Sequence, residues 1–308
     1  MVKENKVLVS VIVCTYNRSG VLELCLEALS EQDAEKDMWE VIVVDNNSTD
    51  DTQKMCEKYL KKHSNYKIVL ESEIGLSRAR NRGFEEATGV YVAYIDDDAK
   101  ARNNWISIML DFIRRKPEAV AFGGPDYGYV LSGRPEWLPV EYMQIELDPG
   151  RGLERIIHLP DEIYTGCNMV FRKDILKAFG GFNVQLGMSG TEIGYGEETN
   201  LLLTIQRAGY PVYYLHDLKV DHLILEYKLS LKWNLRSFYK IGRTYDKTMN
   251  RSFGLLIRLF RLSGAMAVGL MQFMNPRIMP FKRRLYYSLR FPISEIGALI
   301  TQLENLKK

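Results

Sequence analysis

The sequence contains little cysteine or histidine and no long uncharged apolar run. Four of its 308 residues are cysteine and four are histidine. The cysteines (Cys14, Cys25, Cys56 and Cys167) show no C-x-x-C spacing, which argues against a zinc ribbon or a disulfide framework. We therefore expect buried free thiols in a reducing cytosol. Near the C-terminus the charge-free stretch 262–276 has 15 residues, whereas a membrane-spanning helix needs about 20.

Signals of other protein classes are also missing. The apolar run at residues 7–14 is short, β-branched and lacks a small-residue cleavage site, so it predicts a first strand and not a secretory leader. The glycines between residues 187 and 196 fit no G-x-G-x-x-G register and predict a mobile loop instead of a phosphate cradle. We find no internal repeat, and the length allows one large domain or two.

Strand-like and helix-like patterns alternate through residues 1–122. The predicted strands are 7–14, 41–44, 68–70, 90–95 and 120–122, and helical patterns cover 21–29, the region around 55–60, 75–87 and 105–113. Such alternation predicts βαβ units with a parallel sheet, typical of a nucleotide-binding α/β half.

The chain changes character after residue 122. Residues 123–165 are rich in proline, glycine and aromatic residues and predict long loops with short strands, a candidate acceptor-side insertion. Beyond them we expect strands at 163–171, 212–215 and 218–224, helices at 172–179 and 197–208, and mainly helix from residue 228.

Charge is distributed unevenly. The whole chain carries +2, but residues 251–308 hold ten Lys/Arg against two Asp/Glu, a net +8 that leaves −6 on the first 250 residues. Amphipathic patterns accompany this basic tail, which suggests binding to an anionic membrane surface. A helical cap on the core and a homodimer contact remain alternatives. No recognition motif supports nucleic-acid binding.

Three carboxylates, Asp96, Asp97 and Asp98, follow directly on the apolar strand pattern at 90–95. Because open α/β sheets bind ligands outside the carboxyl ends of their strands, these residues are expected at a binding edge. Crowded carboxylates repel one another, and a divalent cation such as Mg²⁺ or Mn²⁺ relieves the repulsion while also holding substrate phosphates. An acidic surface turn is the alternative.

Six motifs in order extend this interpretation over residues 7–225. They are VSVIVCTYNR (9–18), VIVVDNNSTD (41–50), GLSRARNRG (75–83), DDD (96–98), TGCNMVFR (165–172) and GEETNL (196–201). Together they resemble the inverting family 2 glycosyltransferases of the GT-A fold. The resemblance implies a Rossmann-like, mostly parallel sheet flanked by helices, with a GT-A domain over 1–225. Its halves would be a nucleotide-sugar half (1–122) and an acceptor half (123–225), followed by a helical C-terminal region (226–308).

The resemblance implies a donor site at the sheet edge. Thr15 and Asp45 match the nucleoside-binding positions, and Tyr16 could lie against the base beside Asn17. Arg80 matches a contact to base or phosphate. The alternatives are a turn after a strand for 15–17, a helix N-cap for Asp45 and a solvated helix face for Arg80.

The family pattern also implies a metal site and a base. Asp98 would bind Mn²⁺ or Mg²⁺, Asp96 the ribose or the metal, and Asp97 could substitute for either. His222 would complete the metal site, against a purely structural histidine as the alternative, with His216 a weaker candidate.

For the proton of the acceptor, Glu198 is expected as general base, with Glu197 the second candidate. Two acidic residues in the first turn of a helix are the structural alternative.

We therefore expect a metal-dependent inverting transferase. It would move a sugar from a nucleotide donor, with UDP-sugar as the first choice, to a glycan or lipid-linked acceptor at the inner face of the cell membrane. One alternative is a nucleotidyltransferase, which needs a glycine-rich basic segment after the first strand that residues 15–20 do not supply. Another is a non-catalytic sugar-nucleotide-binding or scaffold protein. Such a protein would lack one or more of the key carboxylates, whereas Asp45, Asp96, Asp98 and Glu198 are all present.

Overall fold

The computed structural model describes residues 7–249 and 253–306. The strands are β1 (Val9–Thr15), β2 (Trp39–Asp45), β3 (Tyr66–Leu70), β4 (Tyr91–Asp96), β5 (Ala99–Ala101), β6 (Ala121–Gly123), β7 (Asp126–Tyr129), β8 (Gln144–Ile145), β9 (Glu154–Ile157), β10 (Met169–Arg172), β11 (Val212–Leu215) and β12 (Val220–Leu223). The helices are α1 (Ser19–Ser30), α2 (Thr52–Leu60), α3 (Leu76–Glu86), α4 (Trp105–Arg115), α5 (Lys173–Ala178), α6 (Glu197–Arg207), α7 (Leu231–Met249), α8 (Leu255–Met274) and α9 (Phe281–Asn305).

The main sheet has eight strands in the order β3-β2-β1-β4-β10-β6-β11-β9. Strands β3, β2, β1 and β4 are parallel, as the alternating pattern predicted, because helices connect them in sequence. Strand β10 is antiparallel to both of its neighbours, β4 and β6, and β9 is antiparallel to β11. The sheet is therefore mixed, with the parallel part in the N-terminal half.

Helices cover both faces of this sheet. Alternate residues of β1 point to opposite sides: Val11 and Val13 join the apolar cluster beneath α1 and α4, whereas Ile12 joins the cluster beneath α3 and α6. Strands buried on both faces explain why the sequence showed continuous apolar runs. Each buried valine or isoleucine contributes roughly 1.5–3 kcal/mol to folding. The cysteines are free, as expected, with Cys14 only half-buried.

A second, four-stranded sheet lies beside the first, in the order β5-β12-β7-β8. Strand β5 was not predicted, because three residues after an acidic triplet carry no strand pattern. The predicted strand at 163–171 is wrong in its first part: regular pairing begins at Met169, since the Asn168 N–H closes a turn onto the Thr165 carbonyl. These short segments bring residues 98–101, 126–129 and 220–223 together.

Helices α7, α8 and α9 follow the sheets, as expected from the sequence, with α9 packed against both of the others. Among the described residues, α8 is the one helix that is long and apolar enough by composition to cross a membrane. An 18-residue window of α8 has a mean hydropathy of 1.3, and 11% of that window is buried. A single such helix is weak support for a span. The predicted division into domains at residue 225 stays a prediction.

Arginines that interrupt the apolar stretch of α8 are turned inward. Arg258 is 1% exposed and pairs with Asp246 and Glu295, and Arg261 lies 2.6 Å from Glu295. Consequently the outward face of α8 is apolar over its length. The charge-free stretch 262–276 is therefore only part of this apolar face.

Gly83 allows α3 to pack directly on the sheet. A Cβ atom at this position would lie 2.4 Å from the Ile12 Cγ2 atom and 3.2 Å from Val44 Cγ2. We expect Gly83→Ala to lower the free energy of unfolding by about 1–3 kcal/mol, measured by urea denaturation, because the overpacked core must shift. Gly20→Ala in α1 is the matched control, since nothing lies within 4 Å, and it should leave stability unchanged or slightly higher. Equal effects in both variants would contradict close packing at Gly83.

Candidate active site

Three neighbouring strands end at the same edge of the main sheet. Thr15, at the end of β1, is in register with Asp45 of β2, and Cys14 is in register with Asp96 of β4. Thr15 and Asp45 are 3% and 4% exposed. One oxygen of Asp45 accepts the Ser48 N–H at 3.0 Å. The helix N-cap considered for Asp45 is wrong, because α2 begins only at Thr52 and Asp51 stands at its N-cap position. The predicted donor-binding residues thus share one crevice.

The loops after β1 and β2 brace each other. The Asn17 side-chain oxygen accepts the Thr49 N–H at 2.7 Å, and the Asn17 N–H donates to Ser48 Oγ at 2.9 Å. Asn17 therefore orders the loop, and its contact with a donor stays a prediction. Tyr16 is half-buried beside Gly190, whose added Cβ would lie 4.0 Å from the tyrosine ring. Its contact with the base of a donor stays a prediction.

Asp96, Asp98 and His222 form a candidate metal site. Their ligand atoms all lie within 4.8 Å of one another, and His222 Nε2 is 3.1 Å from Asp98 Oδ1. His222 reaches Asp98 because β12 pairs with β5, the short strand directly after the triplet. Two carboxylates and an imidazole suit a divalent cation such as Mn²⁺. The sequence predicted these three residues together.

Asp126 supports the other side of the His222 ring. Its Oδ2 atom lies 3.7 Å from His222 Nδ1 and accepts hydrogen bonds from Thr165 Oγ1 at 2.7 Å and Cys167 Sγ at 3.2 Å. Burial opposes the charge on Asp126, but hydrogen bonds, first from His222, hold its pKa below the usual range. Burial raises the pKa of Cys167 to about 12, so without a bound cation this thiol is neutral. Asp126, Cys167 and His222 form a second group whose ligand atoms lie within 4.8 Å of one another. Asp126 therefore orients the histidine.

Cations surround the acidic triplet. Arg18 Nη1 lies 2.7 Å from Asp97 and 3.0 Å from Asp98, and Lys228 Nζ lies 3.5 Å from Asp98. Burial alone would raise the pKa of Asp98. The surrounding cations, His222 first and then Lys228 and Arg18, hold it well below the usual range. Asp97 faces Arg18 and lies outside the ligand cluster among the described residues, so its predicted role as a substitute ligand lacks a geometric basis.

Arg80 connects the two acidic motifs. Its guanidinium lies 2.6 Å from Glu197 Oε1 and 3.3 Å from Asp96 Oδ1, and it also donates to the Gly166 carbonyl at 3.4 Å. Arg80 is 2% exposed, which rules out the solvated helix face considered from the sequence. Its direct contact with a donor stays a prediction. The observed contacts make Arg80 a rigid link between α6 and β4.

Glu197 and Glu198 begin α6 but differ in their surroundings. Glu197 is 5% exposed and faces Arg80, whereas Glu198 is half-buried and has no cation within ion-pair distance among the described residues. Burial, then the charge of Glu197, raises the pKa of Glu198 to about 8. A carboxylate with a raised pKa is suited to accept a proton near neutral pH. Of the two candidate bases, Glu198 is therefore the one that no described cation pairs with.

A glycine-rich loop leads into these carboxylates. Gly187 and Gly196 have φ values of +86° and +94°, and a Cβ on Gly194 would overlap the Gly187 carbonyl oxygen. The glycines therefore allow the loop to fold back on itself beside Glu197, with a Gly187 Cβ position 3.1 Å from Glu197 Oε2. The loop's predicted mobility stays a prediction.

Sequence reasoning missed three polar residues of this site. Arg18 lies inside the quoted VSVIVCTYNR motif, so its basic charge was visible there. Asp126 and Lys228 lie in segments without a readable pattern, and only the strand pairing of β7 with β12 and the turn Glu226–Leu229 bring them to the triplet. His216, the weaker candidate, instead lies 3.6 Å from Glu146.

A mixed sheet flanked by helices, with an acidic crevice at the carboxyl edge, defines this protein as a GT-A-fold enzyme. The sequence model of glycosyl transferase family 2 matches residues 10–180, and the chain belongs to this family. The predicted family, fold and enzyme class are confirmed: the protein is a glycosyltransferase of glycan or glycolipid synthesis. Family membership decides against the nucleotidyltransferase and scaffold alternatives.

Similar proteins come from archaea and bacteria. The chain is 31% identical over 245 residues to the glucosyl-dolichyl phosphate glucuronosyltransferase of Haloferax volcanii, which covers 75% of this chain and 74% of that protein. The mannosyltransferase PcManGT from Pyrobaculum calidifontis, solved with GDP-Man and Mn²⁺, superimposes with a TM-score of 0.58 at 20% identity, over 97% of this chain and 75% of that one. S. aureus TarS 1-349 with UDP-GlcNAc gives 0.56 at 19% identity, over 98% and 92%. At these identities the structures share the fold.

Proposed function

We propose that this enzyme is an inverting, divalent-metal-dependent glycosyltransferase. It transfers a sugar from a nucleotide-diphosphate donor, with UDP-sugar as the first candidate, to a hydroxyl group of a lipid-linked acceptor. The site of action is the inner face of the cell membrane, with the enzyme bound peripherally.

One observation carries the proposal: a single buried arginine joins the candidate base motif to the candidate metal motif. Arg80 contacts Glu197 at 2.6 Å and Asp96 at 3.3 Å. Glu198 is therefore held next to the end of β4, where a metal-bound diphosphate would lie. A base and a leaving-group site held rigidly close together are what a one-step displacement requires.

The donor is held along the strand ends. Asp45 and Thr15 bind the nucleoside, and the Tyr16 ring lies against its base. Asp96, Asp98 and His222 would hold Mn²⁺ or Mg²⁺, which, when bound, withdraws charge from the departing diphosphate as a Lewis acid.

Glu198 performs the proton transfer. It takes the proton of the acceptor hydroxyl while that oxygen forms a bond to the anomeric carbon, and the bond from this carbon to the diphosphate oxygen breaks with its electron pair leaving on the diphosphate. Attack opposite the leaving group inverts the anomeric configuration. Arg80, by holding Glu197 as a charge neighbour of Glu198, keeps the base positioned.

Membrane association follows from the outward face of α8. Leu256 and Phe260 are 82% and 81% exposed, while the arginines of the same helix pair inside the protein. An apolar outer face beside a tail of charge +8 fits an interface helix on anionic lipid. The relative from H. volcanii is named for a dolichyl phosphate-linked substrate, which supports a lipid-linked acceptor. A homodimer through the same face is the alternative.

A screen of nucleotide sugars with the full chain tests the proposal. With Mn²⁺ we expect one donor class to raise the melting temperature and to be slowly hydrolysed, and chelation should abolish both effects. Full-length protein should also float with vesicles of anionic lipid at low salt. Donor binding that ignores chelation would contradict metal dependence, and protein that stays unbound to vesicles would favour the dimer.

Asp126→Asn should weaken Mn²⁺ binding by about 10–100-fold, because partners that orient a ligating histidine contribute that much to metal affinity. The measurement is a calorimetric Mn²⁺ titration. Asp221→Asn is the matched control. Asp221 directly precedes His222 on β12, but its carboxylate pairs with exposed Arg102 at 3.1 Å. If both variants bind Mn²⁺ like the wild type, Asp126 does not support a metal ligand.

A further inference from the structure

An apolar groove lies between α7 and α9, outside the crevice. Its volume is about 620 Å³, within the range of small-ligand sites. Leu231, Leu235 and Tyr239 line it from α7, and Ile293 and Ile296 line it from α9. We call it the α7–α9 groove.

Two cations stand at this groove. Lys232 and Arg236, one helical turn apart, also line it, are exposed, and form no ion pair with any residue that the structure describes. Two later cations of the same helix are paired: Lys240 lies 3.0 Å from Glu192, and Arg243 lies 2.6 Å from Glu304. Lys232 and Arg236 place two exposed positive charges beside the apolar surface, which fits a ligand with an apolar chain and an anionic group.

The groove begins next to the candidate active site. Its first residue, Leu231, follows the turn that holds Lys228 at 3.5 Å from Asp98. On another face of α7, Ser237 Oγ accepts a hydrogen bond from the Tyr195 hydroxyl at 3.0 Å, three residues before Glu198. Helix α7 therefore lines the groove on one face and contacts the loop before Glu198 on another.

We propose that the α7–α9 groove binds the single hydrocarbon chain of a lipid-linked acceptor, with Lys232 and Arg236 holding its phosphate. This inference rests on the proposed function and deepens it, since the acceptor sugar would reach round the start of α7 to Glu198. A partner helix is the competing occupant, and it would have to bring acidic residues to both cations. Helix α9 also packs on α8, so the chain would leave the groove close to the outward apolar face of α8.

Binding of farnesyl phosphate to the full chain tests the groove. The double variant K232Q/R236Q should weaken this binding at least about tenfold, because two charge-assisted contacts are lost, and Leu235→Gln should weaken it similarly by interrupting the apolar floor. The matched control K240Q/R243Q removes the same charge from the same helix outside the groove and should bind as the wild type does. Farnesol and inorganic phosphate should each bind far more weakly than farnesyl phosphate.

Activity assays separate this inference from the proposed function. With a lipid-linked acceptor, the groove variants should raise KM while donor hydrolysis stays at the wild-type rate. Groove variants that bind farnesyl phosphate and use the lipid acceptor normally would overturn the inference alone. Equal binding of inorganic phosphate and farnesyl phosphate would overturn it as well, because the groove would then be a simple anion contact. A wild-type protein that neither hydrolyses nor transfers from any donor would instead overturn the proposed function.

Discussion

Glu198→Gln should lower turnover by about 10²–10⁴-fold, the usual contribution of a general base. Glutamine keeps the size and hydrogen-bonding reach of the side chain but cannot accept the proton. In the proposed mechanism donor and metal would lie on the other side of the reacting carbon, so donor affinity should stay close to that of the wild type. Steady-state kinetics and a calorimetric donor titration give the two quantities.

Glu197→Gln is the comparison variant. Glu197 is 5% exposed and lies 2.6 Å from Arg80. Removing its charge should therefore lower the free energy of unfolding by up to about 3–5 kcal/mol, whereas turnover should fall less than in Glu198→Gln. The opposite order, with Glu197→Gln inactive and Glu198→Gln active, would move the base by one residue. Small and equal effects of both variants on turnover would indicate that the two residues act only at the start of the helix.

The pH dependence offers a second readout for Glu198. Its pKa is raised to about 8, by burial first and the neighbouring Glu197 second. Only the deprotonated form can act as a base, so kcat/KM should rise as the pH passes from 6 to 9. That rise should disappear in Glu198→Gln. A flat profile in the wild type would mean that Glu198 is already ionised at pH 6 or is not the base.

Asp98→Asn should remove the Mn²⁺ dependence of donor binding and lower turnover by at least about 10²–10³-fold. The reason is that a bound cation contributes several kcal/mol to stabilising the departing charge, and each 1.4 kcal/mol corresponds to a factor of ten. Calorimetry with the donor, with and without Mn²⁺, measures the first effect. The second is measured as kcat under saturating donor.

Asp97→Asn is the matched control for Asp98. It is adjacent, equally buried at 4% exposure, and also contacts Arg18, but it lies outside the ligand cluster. This variant should keep Mn²⁺-dependent donor binding. If Asp97→Asn loses that dependence while Asp98→Asn retains it, the metal ligand is the middle residue of the triplet.

Local sequence patterns determined much of the fold and the crevice. Parallel strands joined by helices bring their carboxyl ends to one edge, so Thr15, Asp45 and Asp96 could be assigned to a common site from strand positions alone. The helix start at Glu197 was also predicted from the local pattern, whereas the roles of Glu197 and Glu198 came from the family resemblance. The antiparallel direction of β10 could not be predicted, because its pairing depends on distant segments. The short β5 could not be predicted either, because three residues carry no period.

Contacts between distant residues were decided only in the tertiary structure. Arg80 and Glu197 are 117 positions apart, and an arginine on a predicted helix gives no local sign of whether it will be buried. Asp126 reaches His222 only through the pairing of β7 with β12. The sequence by itself determined which chemical groups end each strand and helix, since that depends on near neighbours. Which carboxylate faces a cation, and which remains free to accept a proton, depended on long-range packing and burial, which set the charge state of each group.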